Sequence, residues 1–291
     1  MINQNSPEYE KETVILAQID LTTGSIPKTL LRFAFPMICG NLLQQLYNVA
    51  DTLIVGRFLG SDALGAVGSS YTLMTFLTSI LLGLCMGSGA LFSVCWGQRD
   101  LARLRRQTHA AFVLIAVCTV VLNAAAFLLL DAMKTLLSVP AEVWPLMRSY
   151  LFVIFFGIGG TFLYNYYASL LRAVGNSLVP LLFLAAAAVL NIALDLVFVL
   201  VCRWGVEGAA AATVLAQWLS GIGTAVYTLV RCPELRARRE ERRITGAMLR
   251  ELLSASVLTC LQQSVMNLGI LIVQGRINSF GPVIMAAFAA A

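Results

Sequence analysis

Two carboxylates lie inside apolar segments of this chain, and their positions suggest ion chemistry. Asp195 follows Asn191 by four positions in the run VLNIALDLVFVL (189–200), and Asp51 lies in the segment NLLQQLYNVADTLIV (41–55). Residues four apart share one face of a helix. A buried carboxylate has to be protonated, paired with a base or bound to a cation. No Lys or Arg lies mid-segment beside Asp195, so the pattern predicts a site for a proton or a small cation.

Other polar residues recur at helical spacing within the apolar segments. They form four series: Asn41, Gln44, Gln45, Asn48, Asp51 and Thr52; Tyr150, Thr161, Tyr164 and Asn165; Asn191 and Asp195; and Thr213, Gln217, Ser220 and Thr224. Polar side chains are costly against lipid, so these faces are expected to converge on an interior cavity. Hydrogen bonding between neighbouring helices is the alternative for the Asn, Gln and Thr residues.

The composition indicates which elements hold these residues. Of 291 residues, 59% are hydrophobic and 12% are charged, with a mean hydropathy of +0.82, whereas a soluble domain carries about 25% charged residues. Several apolar runs are long enough to cross a hydrocarbon core of about 30 Å as helices, and they lack the alternation of a membrane β-barrel. The fold class predicted is an all-α polytopic membrane protein.

The apolar runs predict seven spans and the start of an eighth. They lie near 30–55, 64–95, 109–130, 147–168, 178–201, 208–230 and 250–274, with the eighth beginning at 282. Most of the 20 Lys and Arg residues fall in the N-terminal segment and in the loops after the second, fourth and sixth spans. Such loops face the cytoplasm. The net charge of +5 is therefore interpreted as an orientation signal with a cytoplasmic N-terminus, and no nucleic-acid partner is expected.

The remaining reactive residue types give no sign of an enzyme. The seven cysteines form no CxxC pair and are expected to be small apolar side chains in a reduced setting. His109, the only histidine, is interpreted as an interfacial side chain. The glycines of GLCMGSGA (Gly83, Gly87 and Gly89) are predicted to allow close helix contacts, since no phosphate-binding motif occurs in a strand–helix context. No catalytic residue, cofactor or cleavable signal peptide is predicted.

An internal repeat predicts the domain organisation. A shift of 218 positions places Leu31, Arg32, Gln44 and Gln45 on Leu249, Arg250, Gln262 and Gln263. The seventh span thus resembles the first, as in two-lobed transporters with parallel repeats. We expect a cytoplasmic lead-in (1–29), a six-helix lobe (30–230), a charged cytoplasmic linker (231–249) and the start of a second lobe (250–291). On this interpretation the sequence is truncated at its C-terminus.

Three segments together resemble the multidrug and toxic compound extrusion (MATE) family, and in particular its DinF-like branch. They are LLRFAFPMICGNLLQQLYNVADTLIVGRFLGSDALGAVG (30–68), LRAVGNSLVPLLFLAAAAVLNIALDLVFVL (171–200) and WGVEGAAAATVLAQ (204–217). The resemblance implies twelve helices in two lobes and exchange of organic cations or other amphipathic compounds for H⁺ or Na⁺. It also implies that Asp51, Asn191, Asp195 and Thr213 match the cation site of the first lobe, where Na⁺ is one candidate ion. Gln44, Tyr150 and Asn165 match polar neighbours of that site.

The sequence thus favours a cation-coupled antiporter that works by alternating access. Asn48 and Gln217 join the polar network through their positions on the polar faces. The expected partners are small organic, often cationic, compounds and the lipid bilayer, and a monomer in the bacterial inner membrane is expected. The alternatives are a lipid-linked sugar flippase of the same superfamily, a seven-helix receptor, and a non-transporting membrane subunit.

Overall fold

The computed structural model describes residues 25–290, and this part of the chain is helical with no strand. The helices are α1 (Ile26–Leu59), α2 (Ser61–Gly97), α3 (Leu101–Leu128), α4 (Ala132–Leu136), α5 (Trp144–Ala173), α6 (Leu178–Val201), α7 (Gly205–Arg231), α8 (Gly246–Asn278) and α9 (Pro282–Ala290). A 3₁₀ turn at Phe155–Gly157 interrupts α5, and α6 ends in a π-helical segment, Leu196–Val201. The all-α polytopic fold is confirmed.

Six helices, α2, α3, α5, α6, α7 and α8, are long and apolar enough to cross a membrane. They match six predicted spans and extend most of them by a few residues. α1 is 34 residues long, but its polar series lowers its hydropathy, and it is not among the six. It begins at Ile26, a few residues before the predicted end of the lead-in at residue 29. The rest of that lead-in, residues 1–24, lies outside the described residues.

On α6 an apolar side chain faces outwards and a polar one inwards, as a lipid environment requires. Val189 is 71% exposed, whereas Asn191, two positions later, is 1% exposed. The reason is that lipid solvates Val and leaves a bare amide unsatisfied. On α1 the polar series lies only partly inside, because Asn41, Gln44 and Gln45 are exposed.

Glycines bring α2 close to α8 and to α5. A Cβ on Gly83 would lie 2.3 Å from the Cα of Cys260, and a Cβ on Gly87 would lie 2.4 Å from the Cα of Ser256, both in α8. At Gly89 the near neighbour is Ser169 of α5, at 3.3 Å. Small residues at such contacts let helix backbones approach closely in membranes. The predicted role of these three glycines as close helix contacts is confirmed.

A buried polar cluster joins α8 to α2 at the end of α8. The Ser69 hydroxyl donates to Asn278 Oδ1 at 3.0 Å, and Gln274 Nε2 donates to the same oxygen at 2.9 Å. Asn278 Nδ2 donates to the carbonyl of Leu137 at 3.0 Å, and Thr72 donates to Gln274 Oε1 at 3.3 Å. These bonds fix the end of α8 against the first helices of the chain.

At the opposite end of α8, ionic contacts attach α8 and the charged linker to α3. Glu251 of α8 pairs with Arg103 and accepts a hydrogen bond from Gln107 Nε2 at 2.6 Å. Glu241 of the linker accepts from Arg105 through both carboxylate oxygens, at 2.8–3.0 Å. The predicted linker is therefore held against the start of α3.

Candidate cation-binding site

Asp195 lies where α6 changes from α-helical to π-helical geometry. The α-helical part of α6 ends at Asp195, and the π-helical residues begin at Leu196. A π-helical turn widens the backbone locally and often occurs at functional sites. The Asp195 side chain is 0% exposed. Neighbouring protein groups or a bound ion, and not bulk water, therefore have to stabilise the charge of this carboxylate.

Asn191 and Thr213 link α6 to α7 beside this carboxylate. Asn191 Nδ2 donates to the Thr213 hydroxyl oxygen at 3.3 Å, and that hydroxyl donates its own hydrogen to the carbonyl of Ala209 at 3.1 Å. Both side chains are buried, at 1% and 9% exposure. Because the Thr213 hydrogen is used within α7, its oxygen accepts the amide, and the amide oxygen of Asn191 is left without a donor.

Several buried side-chain oxygens of this region can only accept a hydrogen bond, and no donor of the protein is bonded to them. They are Asp51 Oδ1, Asn191 Oδ1, Asp195 Oδ1, Asp195 Oδ2 and Gln217 Oε1, and one further such oxygen in residues 25–290, Gln107 Oε1, lies on α3 beside Glu251. Buried polar atoms are nearly always satisfied, and an unpaired buried carboxylate is especially costly. What such a group of acceptors lacks is a proton or a cation.

Asp51 reaches the same region from α1. Its charge and that of Asp195 are close enough to repel each other, and the ion pairs among residues 25–290 include neither acid. Two tyrosines, Tyr47 and Tyr150, lie within electrostatic range of both carboxylates. The structure therefore brings Asp51, Tyr150 and Asp195 together, as the sequence predicted.

A small cavity lies beside two residues of the acceptor group, Asn191 and Gln217, and neither Asp51 nor Asp195 lines it. It measures about 40 Å³ and is lined by Tyr47, Asn191, Thr213, Gln217 and Ser220 among apolar residues. A water molecule needs roughly 10–15 Å³ of such volume, whereas pockets for drug-sized ligands measure about 300–1,000 Å³. The cavity thus has room for an ion with a few water molecules, and no room for an organic compound.

The oxygen atoms available here suit a hard monovalent ion. Carboxylate, amide and hydroxyl oxygens are the ligand types that hard cations prefer. No three His, Cys, Asp or Glu side chains form a metal-binding group anywhere in the described chain. The four residues predicted for Na⁺ offer two carboxylates, one amide oxygen and one hydroxyl, which is a reasonable set for Na⁺ and equally allows a proton on either acid.

The other predicted network residues divide between the site and its surroundings. Gln217 lines the cavity, and its Oε1 belongs to the acceptor group. Asn48 donates to Gln45 Oε1 at 3.3 Å and to the Tyr71 hydroxyl at 3.2 Å, one turn before Asp51. Asn165 donates to the carbonyl of Thr161 in its own helix at 2.8 Å. Gln44 is exposed, so the structure does not bring it into the buried group.

Two features of the site were not predicted. Tyr71 of α2 contacts the polar face of α1 through Asn48, and a lone tyrosine in an apolar run gives no sign of its partner. The π-helical segment LVFVLV contains neither Gly nor Pro to mark it.

Comparison with known proteins identifies relatives of the chain. The MatE family model matches residues 36–197. The probable multidrug resistance protein YpnP of Bacillus subtilis is 32% identical over 272 residues, which are 93% of this chain and 60% of that protein. The probable multidrug resistance protein NorM of Thermotoga maritima is 26% identical over 251 residues, 84% of this chain and 53% of that protein. The chain thus spans about three fifths or less of these relatives.

Solved structures share the fold. An inward-facing multidrug resistance MATE transporter of the MOP superfamily superposes with a TM-score of 0.78 at 23% identity, covering 85% of this chain and 56% of that one. An outward-facing structure of such a transporter gives the same TM-score at 21% identity, covering 94% and 67%. From the match of the family model to more than half of its length, together with this fold, the chain belongs to the MatE family.

Proposed function

We propose that this protein binds H⁺ or Na⁺ between Asp51 and Asp195 and couples the ion to export of organic cations. The observation that carries the proposal is the group of five buried acceptor oxygens that receive no hydrogen bond. A permanent hydrogen-bond donor or basic residue would make such a group purely structural. A group that lacks one is suited to an ion that binds and leaves.

Ion and exported compound occupy different places in this mechanism. The cavity of about 40 Å³ excludes a drug-sized molecule, so the compound binds elsewhere and senses the ion through charge. With the acids ionised, the negative site attracts an organic cation. When H⁺ or Na⁺ neutralises them, that attraction falls and the compound is released. Alternating access between two lobes then returns the ion-loaded site to the inner face, where the ion leaves and the acids are ionised again.

The membrane potential drives such coupling only when a cycle moves net charge. One elementary charge moving through 100 mV yields about 2.3 kcal/mol. Since about 1.4 kcal/mol corresponds to a tenfold ratio, one ion exchanged for an uncharged compound supports roughly a fortyfold gradient of that compound. When one ion is exchanged for one monovalent organic cation, the two charges cancel and the concentration gradient of the ion supplies the energy.

The distribution of basic residues supports an N-terminus at the cytoplasmic face of a bacterial inner membrane. Lys28 and Arg32 at the start of α1 would then lie inside, together with the linker between α7 and α8. The repeat supports a six-helix lobe over 30–230 and a second lobe that starts at α8.

Accumulation of a fluorescent organic cation such as ethidium in cells that produce the protein tests this function. Asp195→Asn removes the charge and nearly preserves shape, so efflux should fall to the level of cells without the protein. Asp62→Asn is the matched control, because Asp62 is an exposed acid in the first turn of α2. Unchanged efflux in Asp195→Asn would refute coupling through this residue.

Ion binding needs a separate measurement on the purified protein. We expect Na⁺ or acidification to raise the melting temperature of the wild type and of Asp62→Asn, and to have little effect on Asp195→Asn. If the ion raises the melting temperature but the protein exports no ethidium, the cation site is supported and the export function is refuted. A response equal in all three proteins would reject the site.

A further inference from the structure

A second and larger cavity lies at the end of the bundle next to the charged linker. It measures about 220 Å³ and opens to the outside. Residues of α3, α5, α7 and the linker form its walls. None of the residues that carry the unpaired acceptor oxygens, Asp51, Asn191, Asp195 and Gln217, lines it, so it is separate from the candidate cation site.

Aromatic side chains form one wall of this cavity. The rings of Phe112 and Tyr166 lie 5.3 Å apart and those of Tyr166 and Tyr167 5.0 Å apart, each pair edge to face. The Tyr166 hydroxyl donates to the carbonyl of Thr108 at 2.6 Å, which fixes the ring. Such a wall is rigid before any ligand arrives and favours a partly apolar ligand.

Basic side chains also line this cavity. Arg236 and Arg242 of the linker line the cavity together with the half-buried His109. Glu241, the acid beside Arg242, is occupied by Arg105. The ion pairs formed within residues 25–290 include neither Arg236 nor Arg242. Two guanidinium groups at one mouth are well suited to bind phosphate oxygens.

The cavity also meets the lipid-facing surface. Leu229 lines it and is 45% exposed, and Val226 and Val230 on the same helix are 53% and 68% exposed. An acyl chain could therefore lie along α7 while its head group lies against the two arginines. A soluble anion without an acyl chain would make no favourable contact with this apolar surface.

From this geometry we propose that the cavity binds the phosphate head group of an anionic phospholipid and so ties the linker to the inner leaflet. The class of ligand follows because basic side chains, an aromatic wall and an opening towards the lipid-facing surface of α7 occur in one cavity. The proposal uses the inferred orientation of the chain, and it does not depend on ion coupling or drug export.

Native mass spectrometry of the purified chain with phosphatidylglycerol or phosphatidylcholine of equal acyl length tests this inference. We expect the wild type to retain phosphatidylglycerol in preference, and Arg236→Gln with Arg242→Gln to weaken that binding roughly thirtyfold. The matched control is Arg231→Gln with Arg250→Gln, two exposed arginines next to the linker that do not line the cavity. This control should retain the lipid as the wild type does.

A second variant fills the cavity and leaves both arginines in place. Ala237 is a small, half-buried linker residue that lines the cavity, and Ala237→Trp should fill it and also weaken phosphatidylglycerol binding. Equal weakening by both arginine pairs would mean general attraction to the basic surface and overturn the site. Displacement of the lipid by glycerol phosphate at equal concentration would also overturn it, in favour of a soluble phosphate ligand.

Discussion

Asn191 donates its amide hydrogen to the Thr213 hydroxyl, and the direction of this bond determines what the site can bind. The bond measures 3.3 Å and joins α6 to α7. It holds the amide NH₂ away from the acceptor group and leaves the amide oxygen unpaired within it.

Thr213→Val should therefore weaken ion binding without removing a carboxylate. The variant deletes the hydroxyl of the predicted Na⁺ ligand set, and it leaves a buried amide hydrogen of Asn191 unsatisfied, at a cost of about 1–3 kcal/mol. We expect a smaller rise in melting temperature on adding Na⁺ or acid. Thr119→Val is the control, because Thr119 is also buried and donates only to the carbonyl of Ile115, at 2.7 Å. An equal ion response in both variants would contradict this role of Thr213.

Gly83→Ala should loosen the contact between α2 and α8. Its Cβ would lie 2.3 Å from the Cα of Cys260, so the backbones have to separate, and overpacking of this kind costs about 1–3 kcal/mol. Gly269→Ala is the matched control, because nothing lies within 4 Å of a Cβ there. That substitution should be neutral or stabilise α8 by up to about 1 kcal/mol. Thermal unfolding in detergent measures both, and a Gly83 variant as stable as the Gly269 variant would argue against the close contact.

Helical spacing predicted the core of the site because lipid leaves few places for polar side chains. Asn191, Asp195, Thr213 and Gln217 lie on apolar helices, where a polar residue that recurs every three or four positions has to face inward. The same rule gave the spans, since the length of a helix is matched to the membrane.

The spacing of polar residues could not predict how much of a polar helix face the neighbouring helices bury. Gln44 and Asn48 are four positions apart on α1, yet Gln44 is exposed and Asn48 is half-buried against Tyr71. Contacts between distant segments were also beyond the sequence, as for Asn278 and the carbonyl of Leu137. They depend on the packing of α8 against α2, which no local pattern encodes.

Acidification should release the linker from α3. The hydrogen bonds from the Arg105 guanidinium hold the pKa of the Glu241 carboxyl below its ordinary value. A lowered folded-state pKa stabilises the attachment above the unfolded-state value of about 4.3, and this is lost as the pH falls through the folded-state pKa. Hydrogen exchange over residues 236–245 should then quicken relative to the core of α3. Glu241→Gln should show fast exchange at neutral pH and little further change on acidification, whereas a wild-type profile in that variant would contradict the attachment.

Asn278→Leu should destabilise the end of α8 more than its loss of polarity alone would suggest. Asn278 accepts from Ser69 and Gln274 and donates to Leu137, so a leucine of similar size leaves several buried groups unsatisfied. Each orphaned group costs about 1–3 kcal/mol. Asn267→Leu is the comparison on the same helix, because Asn267 is also buried and donates only to the carbonyl of Gln263, at 2.8 Å. Unfolding in detergent should show the larger loss for Asn278→Leu. If the two losses are equal, the cluster does not fix α8, and the glycine contacts with α2 and the contacts of Glu251 with α3 hold the helix in place.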